Sequence, residues 1–171
     1  MTDITNKAML VQVHMSTWTG KIVDKAVTQE TNERNKADKD AGKYTKNLLP
    51  KEALAKIVTS NGKIKKFRDK HSMPWNSAYR IMPAKIHFDF MQGLGDLMQE
   101  RKKFVNELCI EYPRFVRSRE QTLGTMFDRN EYPDVTELPD RYRVEVDIQP
   151  VPTAGDFRVD LSQGEVEKIR R

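Results

Sequence analysis

Between Pro83 and Tyr112 the apolar residues recur at helical spacing. Phe90, Leu94, Leu97, Phe104 and Leu108 alternate in steps of four and three, with Arg101 occupying one position of the row. Met91, Met98, Val105 and Tyr112 form a second row beside them, each seven residues from the last. Only a helix puts both rows on one face. At ~1.5 Å per residue such a helix is roughly 40 Å long, and a stripe of that length needs neighbouring segments to cover it. Upstream, Leu54, Ile57, Val58, Ile64 and Phe67 predict a second helix over Pro50–Lys70, with Pro50 and Glu52 suited to its first turn. Ser60-Asn61-Gly62 is where that helix would kink or break. The two helices, joined by a proline-containing loop, predict an antiparallel hairpin.

Elsewhere the period shortens. Ala8–Met15 reads as a strand, and Val144, Val146 and Ile148 alternate with charged or polar residues in a second. Phe157–Leu161 would return antiparallel to it as a hairpin, with Ser162 and Glu165 capping a last turn. Lys21–Thr28 fits a short strand and a helical turn equally. Residues 29–47 carry both charge signs and few apolar groups, which predicts a polar surface loop or arm, or a frayed polar helix. Tyr112-Pro113 should interrupt the central helix, leaving a further helix over Pro113–Phe127 and a proline-bearing acidic loop over Asp128–Asp140. The fold class that follows is α+β and helix-dominated. A single domain over 1–171 has its helical core at 50–127, a hairpin at 141–161, and a small antiparallel sheet built from the two chain ends.

Composition narrows the picture only slightly. The 171 residues are 37% hydrophobic and 32% charged, with a formal charge of +5, values that suit a helical protein with much solvated surface. Cys109 is the one cysteine, so no intrachain disulfide exists and a reducing compartment is expected. No apolar run approaches the ~20 residues of a membrane span. A cytoplasmic protein with no membrane contact is expected.

The chemistry-bearing stretch is Asn61–Arg80. Lys63, Lys65, Lys66, Arg68, Lys70 and Arg80 are opposed only by Asp69, and Phe67, Trp75 and Tyr79 are interleaved with them. Cations for phosphates and flat side chains for unstacked bases are what single-stranded nucleic acid requires. The plainer reading puts Ile64 and Phe67 in the core, lysines on the solvated face and Trp75 as a plug at the hairpin end. His14, His71 and His87 are too scattered for a metal site, and His87 and Asp89 diverge on a helix. Cys109 lies beside the apolar stripe as a small buried group. No nucleophile, base and orienting group converge, so neither an enzyme nor a cofactor is expected. Gly93 and Gly95 lack phosphate-loop spacing and predict close approach of another segment, or a kink. Arg101, if buried, needs an acidic partner; otherwise it snorkels or faces a partner. The Phe90–Leu108 stripe is also long enough to pair two copies of the chain.

Five segments, STWTGKIVDKAVT, DAGKYTKNLLPKEAL, HSMPWNSAYRIMPA, LGTMFDRNEYPDV and IQPVPTAGDFRVDL, resemble in this order a family of small phage and prophage proteins to which no activity is attached. The resemblance covers nearly the whole chain and carries over no catalytic residue. It implies viral origin, residence in the host cell cytoplasm, and either a DNA-handling accessory role or a protein partner, such as a host defence protein to be inhibited or a phage protein to be scaffolded.

Overall fold

The computed structural model describes residues 7–152. The apolar alternation of Ala8–Met15 forms strand β1, which lies at the centre of a four-stranded antiparallel sheet. On one side it pairs with β6 (Val144–Pro150), matching Val11 with Ile148 and Val13 with Val146. On the other it pairs with β5 (Arg80–Pro83), which in turn holds the two-residue β4 (Met73–Pro74) at the edge. The two chain ends do build the sheet, but β4 and β5 join it from the helical connection, where the sequence predicts only a lead into the central helix. The second strand expected at Phe157–Leu161, and the Ser162–Glu165 cap, lie outside the described residues.

Two long helices cover the inner face of the sheet. Helix α2 spans Lys51–His71 without a break at Ser60-Asn61-Gly62. Helix α3 spans His87–Leu123, 37 residues, or about 55 Å. They run antiparallel, as the Lys56–Glu107 and Lys63–Glu100 ion pairs at 2.6 and 2.8 Å record. The expected interruption at Tyr112-Pro113 does not occur, and the separate helix over Pro113–Phe127 is the last third of α3 followed by a 3-10 turn. Pro113 withholds a bond from the Cys109 carbonyl, an intrinsic penalty of about 3 kcal/mol. Buried Tyr112 and Val116 flank it on the core side, and the Tyr112 hydroxyl donates to the Pro133 carbonyl at 3.0 Å. Packing therefore overrides local propensity. The helix ends instead at Gly124, whose φ of +55° suits glycine.

The core has two main apolar clusters. One, nearest the sheet, holds Val11, Val13, Ile64, Met82, Phe90 and Leu94. The other includes Leu48, Leu49, Ile57, Val105, Leu108, Tyr112, Tyr132, Leu138 and Tyr142. The segment Asp128–Asp140, expected as a proline-bearing acidic loop, supplies part of its cover through 3-10 turns and most of the short helix α4 (Leu138–Arg141). Phe90, Leu94, Val105 and Leu108 of the stripe are buried within the chain.

Residues 29–47 combine both expected forms, the end of a polar helix and a surface loop, with a short strand after them. Strand β2 (Lys21–Val23) pairs with β3 (Thr45–Asn47), and helix α1 (Lys25–Arg34) lies between them. Asp24 caps α1 by accepting from the Val27 N–H at 3.1 Å. Gly20, at φ +62° and packed on Leu49, turns the chain into this arm. Among the described residues, no helix is long and apolar enough to cross a membrane.

Candidate nucleic-acid interface and the buried cations

Helix α2 turns Ile57, Ser60 and Ile64 to the core and its lysines outward. Lys65, Lys66 and Lys70 are exposed and make no ion pair among the described residues. Lys63 is also exposed but pairs with Glu100. Arg68 and Arg80 belong to the scaffold. Arg68 pairs with Asp69 at 2.7 Å, and Arg80 donates to the hydroxyl and carbonyl of Ser72 at 2.9 and 2.7 Å. These bonds fasten β5 to the end of α2. Tyr79 donates to the Asp147 carboxylate at 2.6 Å across the outer sheet face, a bond that holds its phenol above the usual range.

Phe67 is partly buried, stacked on Phe90 with centroids 5.6 Å apart and 4.3 Å from the centroid of the His71 ring. It is core, in line with the plainer reading. Trp75 is not a plug: it stands 48% exposed, beside Met73 at 69%. Its backbone N–H donates to the Tyr79 carbonyl, and the Asn76 side chain accepts from the N–H groups of Ala78 and Tyr79. The tight turn that results fixes the indole at the hairpin tip. Among the described residues, four of the eight expected residues, Lys65, Lys66, Lys70 and Trp75, have side chains without a polar partner, and Lys63, Arg68, Tyr79 and Arg80 are tied into the fold. None of the clefts of about 490, 330, 160 and 660 Å³ is lined by these residues.

Among the described residues, two cations are buried. Arg101 is 2% exposed, between the two apolar clusters. Its guanidinium donates to the Tyr142 carbonyl, to the Asn61 side-chain oxygen at 2.7 Å and to the Ser16 carbonyl at 3.0 Å. Among the described residues the expected acidic partner is replaced by neutral oxygens from three parts of the chain, which fill its donor fork. Burial lowers its pKa from the usual arginine value.

Lys46, expected on a solvated arm, is 3% exposed. It pairs with Glu131 at 2.7 Å and Asp24 at 3.3 Å and donates to the Met126 carbonyl at 2.8 Å. Burial opposes its charge, but the bonds to Glu131 and Asp24 outweigh this and raise its pKa.

His14 is exposed, and the Nδ1 of His71 lies 2.8 Å from the Phe67 carbonyl. No group of three metal-ligating side chains occurs among the described residues. Burial raises the pKa of the Cys109 thiol, the direction opposite to that of an activated nucleophile. Gly93 admits the Phe67 ring, which a Cβ there would meet at 2.6 Å, whereas Gly95 faces open space. Compared with known proteins, the chain matches no family model, no curated protein and no solved structure.

Proposed function

We propose that the protein is a non-enzymatic phage accessory that binds single-stranded or structured DNA along the end of α2 and the hairpin tip after it. The observation that carries this reading is the group of exposed Lys65, Lys66 and Lys70, without an ion pair among the described residues, followed by the half-exposed Trp75. Lys66 and Lys70 are one helical turn apart, about 6 Å along the axis, so they present charge to successive points of one backbone. Trp75 supplies a face on which a base can stack. Arg68, Lys70 and His71 also lie in the last turn of α2, where cations offset the helix dipole. That role accounts for charge at this end but not for an indole left in water.

The test is fluorescence anisotropy with a labelled oligo-dT across a salt series. Affinity should fall with salt. Changing Lys65, Lys66 and Lys70 to Ala should remove about 0.7 from the logarithmic salt slope for each phosphate that is no longer neutralised. Trp75→Ala should weaken binding by about 1–3 kcal/mol with little change in slope. Absence of binding at low salt, or unchanged binding by the triple variant, would refute the reading.

A second reading, a module that inhibits or scaffolds a host or phage protein, is supported by the arm, where Ile22, Val23 and Tyr44 are 37–43% exposed.

A further inference from the structure

The arm combines a set of internal hydrogen bonds with unused apolar surface. The buried Asn32 side chain donates to the carbonyls of Lys39 and Gly42 at 3.0 and 3.2 Å, and the Asn32 backbone carbonyl accepts from the Ala37 N–H at 2.9 Å. The Tyr44 N–H donates to the Thr28 hydroxyl at 2.9 Å. These bonds fold residues 35–44 back against α1. At the base, Lys46 and the double donation from Arg119 to the Asn47 carbonyl, at 2.6 and 3.0 Å, anchor the arm to the body. Yet Asn32 is the only buried residue of α1. A ten-residue helix and a two-stranded ribbon lack a core of their own, and such pieces are marginal without further cover.

Between α1, β2 and the folded loop lies a hollow of about 660 Å³. Val23 and Ala37 give it apolar wall, and Val23 projects from the ribbon face opposite Lys46. Lys25, Lys39 and Lys43 line it and are exposed, without an ion pair among the described residues. The lining carboxylate, Glu33, already accepts from the Gln29 amide at 2.7 Å. Preformed walls, apolar floor and three unmatched cations describe a site that lacks its complement.

We infer that this hollow docks an acidic peptide segment of a partner protein, an apolar side chain resting on Val23 and Ala37 and flanking carboxylates reaching Lys25, Lys39 and Lys43. The inference rests on the second reading above and is independent of the α2 surface. A nucleic-acid backbone fits the hollow poorly. No aromatic ring lines it, and Glu30, Glu33, Asp38 and Asp40 are distributed around the arm, where they would repel a continuous row of phosphates. Discrete carboxylates can sit between such acids.

The experiment is selection of a random-peptide display library on the full chain, followed by anisotropy with the enriched peptides. Acidic peptides carrying at least one large apolar residue should be enriched. Their affinity should fall by about tenfold or more when Lys25, Lys39 and Lys43 are changed to Glu, the scale expected when several interface charge pairs are removed. Val23→Ser, which leaves every charge in place, should weaken them too. Circular dichroism of both variants, and the oligo-dT affinity of Val23→Ser, should be unchanged. Peptides selected without acidic bias, equal binding by the lysine variant, or no enrichment would overturn the inference. Displacement of the peptide by oligo-dT from the Lys65, Lys66 and Lys70 alanine variant would assign the hollow to nucleic acid and overturn it as well. Failure of oligo-dT binding alone would affect only the α2 reading.

Discussion

Arg101 shows how a charge is buried without an opposite charge. Its donors meet the end of β1 at Ser16, the approach to β6 at Tyr142 and the middle of α2 through Asn61. Each bond is charge-assisted and satisfies an oxygen that would otherwise lie unpaired beside the core. Asn61 extends the set by donating to the Thr17 hydroxyl at 3.1 Å. Arg101→Leu removes the charge but strands these oxygens, so it should destabilise by about 3–5 kcal/mol. Arg101→Lys keeps the charge and loses the planar fork, and should fall between that variant and the native protein. Urea unfolding at constant m-value reads both; a leucine variant as stable as the native chain would show that the network is dispensable. The sequence marks Arg101 as anomalous because it stands in an apolar row. It does not reveal the partners, since backbone carbonyls carry no residue signature. Lys46 is hidden for the opposite reason: its own partners, Asp24 and Glu131, are ordinary charges in polar stretches that come together only on folding.

The helices are legible as elements because their stripes are long and periodic. Their joints are not. Helix α3 passes through Pro113 on the strength of long-range packing by Tyr112 and Val116, and β5 is a four-residue strand whose pairing with β1 spans some seventy positions of sequence. The glycines of α3 offer a sharp test of how α2 and α3 meet. Gly93→Ala brings a methyl into the Phe67 ring, itself stacked on Phe90, and should cost about 1–3 kcal/mol through overpacking. Gly95→Ala meets nothing and should stabilise α3 by up to about 1 kcal/mol, the helix-propensity difference. Thermal melts of the two variants should therefore shift in opposite directions. Shifts of the same sign would mean that Phe67 swings aside or that Gly95 is in contact. Within the candidate interface, only the fold separates Lys65, Lys66 and Lys70 from Arg68 and Arg80, which look equivalent along the chain.

Across the whole molecule, the buried proton-bearing groups mostly favour a fold that is sensitive to alkali. Burial pushes the Tyr112 phenol up to about 12, from an ordinary value of 10.0. Burial also raises Tyr132 and Tyr142, and the Glu131 and Asp24 bonds raise Lys46. A group whose folded pKa exceeds its unfolded value holds its proton more tightly in the native state. Its contribution is therefore complete below the unfolded pKa and is lost as pH rises through the folded one. For Tyr112 that window runs from 10.0 to about 12, and a displacement of this size corresponds to about 2–3 kcal/mol. Tyr112, Tyr132 and Tyr142 all belong to the same apolar cluster, so their ionisation should coincide with its opening rather than precede it. The urea midpoint should stay flat toward neutral pH and fall steeply above pH 10.0. Tyrosinate absorbance should rise in step with loss of helical signal. Tyr112→Phe loses the bond to the Pro133 carbonyl, about 1 kcal/mol, but should flatten the alkaline fall because one titrating group is gone. A variant with an unaltered alkaline slope would place the sensitivity at Tyr132, Tyr142 or the Lys46 cluster instead. Lys46→Met would then separate these, since it removes the titrating ammonium at the arm's base while leaving the tyrosines in place.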